Sequence, residues 1–210
     1  MSEEGHNGGG DVDKGGAPAD DAGSGEGGGE AGGQGAAGAG RRELPTVVTY
    51  LEMRRPSHAF VPPPANLRMT LMRAERPTVH FYRYLYNTIG ERYHWVDRRR
   101  LSDEALAKII QAETVSVFVA YAHGVPAGFF ELDERGEGEI WLAYFGIMPE
   151  FQGRGIGKWL LAEAIDEAFS RDPDVFRVET CTLDDPRALP LYQKMGFVPY
   201  ERREKVVVIE

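Results

Sequence analysis

Apolar residues alternate with polar ones along Thr46–Met53 and again along Leu67–Arg73, the period of a strand with one buried face. Four prolines punctuate the intervening stretch Arg54–Asn66, which reads as an ordered crossing segment or a linker. Thr78–Ile89 carries apolar positions at helical spacing and stops at Gly90, and Leu101-Ser102-Asp103-Glu104 opens a second helix with Ser102 as N-cap. Val115–Tyr121 and Ala127–Leu132 read as strands joined in a hairpin around His123–Pro126. A polar turn, Asp133–Gly138, leads into the apolar strand Glu139–Ile147, closed by Met148-Pro149. Lys158–Phe169 follows as a helix and Val175–Leu183 as a strand. Asp184-Asp185-Pro186 starts a last helix, inside which Pro190 is expected to remove a hydrogen bond. Phe197–Tyr200 and Lys205–Ile209 finish as antiparallel strands. This order predicts an α/β (α+β) class, a mixed central sheet flanked by helices.

Composition separates the first 40 residues from the rest. They hold 16 of the 26 glycines and eight acids against Lys14. With so little apolar surface they read as a disordered Gly/Ala/acidic tail, either solubilising or partner-binding. It has no apolar core of a secretory signal. The remaining 170 residues carry net −2, the chain's −9 less the −7 of the tail, and suit one domain. We divide the chain into 1–40 (tail), 41–66 (an extra strand and the proline-rich segment) and 67–210 (the main domain). No apolar run reaches the length of a membrane span, and the charge balance is wrong for a nucleic-acid surface. Cys181 is the single cysteine, which excludes an internal disulfide and suits a cytoplasmic protein. The scattered histidines lack partners at metal-ligand spacing, so no metal is expected.

Between the apolar strand and its helix lies Gln152-Gly153-Arg154-Gly155-Ile156-Gly157. A strand feeding a glycine-rich turn that opens a helix makes an anion site, because the backbone approaches closely and the first N–H groups face the ligand. The P-loop pattern fails, since residue 152 is Gln and Trp159 stands where Ser or Thr is needed. The dinucleotide fingerprint fails at its third glycine, which is Lys158.

The surviving pattern, Gln-x-x-Gly-x-Gly, resembles the coenzyme motif of the GNAT superfamily of acetyl-CoA-dependent N-acetyltransferases. The later segment Ala188–Phe197, with Leu191-Tyr192 and Gly196-Phe197, resembles a second motif of that family, in the same order. The resemblance covers residues 67–209 and implies a GNAT-like domain in which two parallel strands splay apart near Gly146. It implies acetyl-CoA as co-substrate, with Gln152, Gly153, Arg154, Gly155, Ile156, Gly157 and Lys158 holding the pyrophosphate or ribose phosphate. Phe145 and Ile147 would hold the pantetheine arm, and Tyr192 would protonate the departing thiolate. Asp185 stands where many members carry Asn in contact with the coenzyme. Gly146 has a second reading, that it simply eases packing of a large neighbour. For the general base, Trp141 occupies the position where many relatives place glutamate. Glu139, two residues earlier on the same strand face, is the first candidate and Glu131 the second, and some relatives rely on water alone.

The acceptor side falls, by the same resemblance, in the first two helices and their loop. Tyr82 shares a helix face with Tyr86, while His94, Trp95 and Asp97 lie in the loop. An aromatic wall with one carboxylate suits a cationic amine. The alternative is that Asp97 pairs with Arg98–Arg100 and Trp95 packs beneath the loop. The expected function is acetyl transfer to a primary amine of a small molecule by direct attack in a ternary complex, in a monomer or homodimer. Two alternatives stand beside it: a protein or peptide amine as acceptor, and a non-catalytic acyl-CoA-binding sensor. Cys181 reads as core in preference to nucleophile.

Overall fold

The computed structural model describes residues 42–209. The expected tail, residues 1–40, lies outside the described residues. Seven strands form one sheet: β1 (Arg42–Met53), β2 (Met69–Ala74), β3 (Val115–Ala122), β4 (Val125–Gly136), β5 (Glu139–Ile147), β6 (Val175–Cys181) and β7 (Val198–Ile209). Four helices accompany it: α1 (Val79–Gly90), α2 (Asp103–Ile110), α3 (Ile156–Phe169) and α4 (Ala188–Lys194). The strand order is β2-β3-β4-β5-β6-β1-β7, and β5 and β6 are its one parallel pair.

Alternation along the strands places two large core clusters on opposite faces of the sheet, beside a small third one of Val48, Tyr50 and Trp141. Phe118, Ala120, Phe130 and Leu142 pack with α3 and α4 on one face, while Val117, Val119, Phe129 and Tyr144 pack with α1 and α2 on the other. Ser102 caps α2 as its type demands, its Oγ accepting from Ala105 N at 3.2 Å.

Three local readings change. The chain end is one strand, β7, paired with β1 along Arg42–Glu52 in place of folding back on itself. Glu201–Glu204 has no turn-forming residue, and β1 supplies a full-length antiparallel edge. The hairpin is tighter and longer than expected, with only His123-Gly124 between β3 and β4, and β4 running to Gly136. Pro190 is the third residue of α4, where an N–H has no intrahelical acceptor, so the ring breaks no bond.

The proline-rich segment 54–68 is a strap running from β1 to β2 across α3. Ser57 lies against Gly196, His58 Nε2 lies 3.2 Å from Asp166 Oδ1, and Pro64 lies against Gly155. Val61 and Leu67 pack on the same core. This accounts for the apolar sequence of α3, whose Trp159, Ala162 and Ile165 are all buried.

On the α1 face a buried ion pair ties the loop between α1 and α2 to the sheet. Glu131 of β4 has no exposed surface; its carboxylate accepts from Arg98 at 2.7 Å and from the Tyr82 hydroxyl at 2.5 Å. The Arg98 guanidinium also lies 5.3 Å from the centre of the Tyr144 ring. Burial and the adjacent carboxylate hold the Tyr82 hydroxyl protonated, its pKa raised well above the usual phenol value. Removing one member strands the others, so Glu131→Ala is expected to lower the unfolding free energy by about 3–5 kcal/mol in chemical denaturation. Glu131→Leu combined with Arg98→Met and Tyr82→Phe, which leaves no member of the network stranded, should recover most of that loss.

Candidate active site

The start of α3 is shaped for an anion. Gly153 and Gly155 adopt φ of +75° and +82°, a region that strains any residue with a Cβ. Gly155 is the N-cap and no side chain caps the helix, so the first N–H groups of α3 stay available to a ligand at the positive end of the helix. Arg154 and Lys158 are exposed beside them, Arg154 stacking over Phe151 at 5.3 Å.

Next to this turn the sheet opens. β5 and β6 pair only from Glu139–Leu142 against Val175–Val178. At the same position the other edge of β5 carries a bulge: Leu132 faces Leu142 and Glu131 faces Tyr144, so that Ala143 is an extra residue. This bulge reverses the alternation. Leu142 points to the α3 core, but beyond Ala143 it is Phe145 and Ile147 that turn to that side, while Tyr144 and Gly146 face α1. From Ala143 onward β5 has a free edge towards β6, along which an extended arm can hydrogen-bond as a strand would. Ile147, Gly157 and Leu191 converge at the head of this wedge: a Cβ on Gly157 would lie 3.9 Å from Ile147 and 3.8 Å from Leu191.

Gly146 has a packing cause. A Cβ there would lie 2.3 Å from Ile89 and 3.5 Å from Trp95. Tyr192 is buried on α4, its ring edge-on to Phe145 at 6.2 Å between centroids. The wedge therefore gathers Phe145, Ile147, Gln152–Lys158 and Tyr192 in one region.

Asp185 belongs to it too, in a network that links both sides of the opening. Gln152, beyond β5, donates to Ile147 O at 3.3 Å and to the Tyr93 hydroxyl at 3.3 Å. Tyr93 donates to Asp185, beyond β6, at 3.2 Å, and Arg187 donates to Asp185 through its side chain and its backbone N–H. The Arg187 hydrogen bonds hold the Asp185 carboxyl down at about 2, so it is an acceptor at any physiological pH. Burial raises the Tyr93 hydroxyl, which stays protonated and able to donate.

Both base candidates are engaged by other groups, and Glu139 also lies away from the opening. Glu139 lies at the paired end of β5, four residues before Ala143 and about 13 Å from it at roughly 3.3 Å per residue. Its carboxylate is held by Trp141 Nε1 and by Arg177 at 3.1 Å. Strand alternation gives the face of Glu139 but not its distance from the opening. Glu131 is enclosed in its ion pair with both oxygens bonded.

The acceptor candidates divide similarly. Tyr82 is fully buried against Glu131, and Trp95 packs on Tyr86, Phe129 and Tyr144, with Gly90 making room for its ring. His94 is half-buried in the left-handed region at φ +55°. Asp97 is half-buried and, among the described residues, its carboxylate makes no hydrogen bond or ion pair. The three arginines that follow turn away: Arg98 to Glu131, Arg99 to Asn87 and Arg100 to Val208 O. Tyr93, Tyr144 and Arg98 were not selected by sequence reasoning, because their partners lie far off in the chain and no local period marks them.

Among the described residues no helix is long and apolar enough to cross a membrane, and no group of three or more His, Cys, Asp or Glu is placed to hold a metal.

Comparison with known proteins bears on the fold and the family. The Acetyltransferase (GNAT) family matches residues 76–197. No curated protein matches the chain by sequence. Among solved structures, a putative GNAT acetyltransferase from Novosphingobium aromaticivorans is similar at TM-score 0.56 and 14% identity, over 81% of this chain and 67% of that one. A functionally unknown conserved protein from Staphylococcus epidermidis is similar at TM-score 0.52 and 15% identity; the match covers 78% of this chain but only 62% of that protein. An aminoglycoside acetyltransferase from an uncultured soil metagenome gives TM-score 0.51 at 19% identity, over 61% of this chain and 90% of that one. These likenesses share the fold, and the family match spans more than half of the sequence: the chain belongs to the GNAT family of acetyltransferases.

Proposed function

We propose that this chain is an N-acetyltransferase that carries an acetyl group from acetyl-CoA to the primary amine of a small cationic molecule, by direct attack in a ternary complex. The observation that carries this reading is the loss of β5–β6 pairing at Ala143 directly beside the uncapped, glycine-rich start of α3. An extended arm ending in phosphates fits both features at once. The coenzyme supplies an acetyl group activated as a thioester; the remaining work falls to the chain.

Backbone N–H groups of Gly153–Lys158, with Arg154 and Lys158, hold the pyrophosphate and ribose phosphate. The free edge of β5 around Phe145 and Ile147 holds the arm, and Gln152 and Asp185 flank it. Tyr192, buried against Phe145, gives its proton to the departing sulfur. That transfer runs slightly uphill, from a phenol near pKa 10 to a thiol near 8.5, so it depends on position. Neither Glu139 nor Glu131 is given the role of base, and the amine proton leaves through water.

Asp97 supports a cationic acceptor. A half-buried carboxylate that makes no hydrogen bond or ion pair among the described residues, in the loop between the first two helices, fits an ammonium group. The soil-metagenome neighbour is an aminoglycoside acetyltransferase, which puts small polyamines first on a substrate panel.

The test is release of free thiol from acetyl-CoA by the full chain against a panel of amines. Amine-dependent release supports the proposal; coenzyme binding without turnover on any amine would instead leave a sensor or a protein acceptor. Tyr192→Phe should lower kcat by about 10²-fold or more, the contribution of a positioned acid, while the calorimetric Kd for coenzyme A holds. Asp97→Asn should raise KM for the amine about tenfold, the worth of about 1.4 kcal/mol, with the effect shrinking as salt is added.

A further inference from the structure

Tyr93 occupies a position that the family match alone does not explain. It ends the one-turn helix Glu91–Tyr93 that continues α1, and the backbone behind it is fixed from several directions. Trp95 N–H donates to Gly90 O at 3.1 Å, the Trp95 ring packs on Tyr86 and Tyr144, and Arg98 is anchored on buried Glu131. From this base the Tyr93 hydroxyl reaches the two lips of the wedge. One lip is Gln152, which follows β5 and also donates to the end of that strand at Ile147 O. The other is Asp185, which follows β6 and precedes α4. The two lips belong to strands that stop pairing at Leu142 and Val178, so beyond that point no backbone bond sets their separation.

The direction of the bonds is fixed by chemistry. The Gln152 amide donates to Tyr93, Tyr93 donates to Asp185, and Arg187 keeps Asp185 ionised. A phenylalanine would keep the ring and lose both bonds. An alanine would also remove the bulk that stands across the opening on the α1 side.

We propose that Tyr93 is a positioning residue that ties the two lips together across the acceptor-side mouth and shields the thioester from water. The proposal rests on the reading of the wedge as the acetyl-CoA site. Its chemical consequence concerns a side reaction. When water reaches the acetyl carbonyl, its oxygen forms the new C–O bond and the C–S bond breaks. The products are acetate and coenzyme A thiol, and the proton from water is released or taken up by sulfur. A transferase must suppress this hydrolysis relative to transfer, and a half-buried ring across the mouth does so by excluding water.

The test compares the full chain with Tyr93→Phe and Tyr93→Ala by three measurements. The first is amide hydrogen exchange of residues 150–157 and 184–187 without any ligand. The second is calorimetric binding of coenzyme A. The third is thiol release from acetyl-CoA in the absence of amine. Tyr93→Phe should speed exchange in both segments and weaken coenzyme A by roughly fivefold to tenfold, the scale of one or two hydrogen bonds, with hydrolysis unchanged. Tyr93→Ala should do the same and raise amine-independent hydrolysis several-fold. Unchanged exchange in Tyr93→Phe overturns the tie between the lips, whether or not the alanine variant folds. Hydrolysis at the wild-type rate in a folded Tyr93→Ala overturns the shield. A wild-type chain that binds no coenzyme A overturns the shield together with the proposed function, whereas wild-type binding with unchanged variants overturns the role of Tyr93 alone.

Discussion

One extra residue in β5 governs the candidate site. Ala143 has no counterpart on β4, and at that position the strand both reverses its alternation and parts from β6. Without the bulge, Phe145 and Ile147 would face α1, and continued pairing would consume the edge that an extended ligand needs. With it, the same nine residues serve as a buried central strand over their first half and as one wall of a cleft over their second. The glycine-rich turn then places the uncapped start of α3 at the head of that cleft.

Supporting elements hold the two sides of the cleft from outside it. On the α3 face the strap 54–68 lies over the helix from Asp166 to Gly155, fixing the element whose first turn forms the anion site. On the α1 face the Glu131–Arg98 pair and the packed Trp95 fix the loop that presents Tyr93 and Asp97. The ion pair is costly to bury, and it anchors the loop to the middle of β4 through Arg98. β1 adds a further constraint. It fills the place between β6 and β7, so residues that precede the family-matched region complete the sheet.

Much of this was legible from the residues. The β5 strand was placed with its observed ends, Ser102 was identified as the cap of α2, and the Gln152–Gly157 pattern led to the family. Legibility failed where partners are distant or where period conceals a defect. The bulge at Ala143 leaves no mark in a run that is apolar throughout. Glu139 was ranked as a base by its face, yet strand length carries it away from the opening. Tyr82 has the same composition signal whether it lines a pocket or satisfies a buried carboxylate, and only Glu131, 49 residues on, distinguishes the two. The sequence reads two strands where β7 is one, because the charged stretch Glu201–Glu204 is carried through by pairing with β1 and not by any local period.

The central claim is that the free edge of β5 and the start of α3 together hold the coenzyme. Amide hydrogen exchange of the full chain with and without coenzyme A tests it most directly. The account predicts added protection concentrated in two segments, residues 143–147 and 153–158, with β2, β3 and α2 unchanged. Protection elsewhere with neither segment affected, or none at saturating coenzyme A, would contradict it.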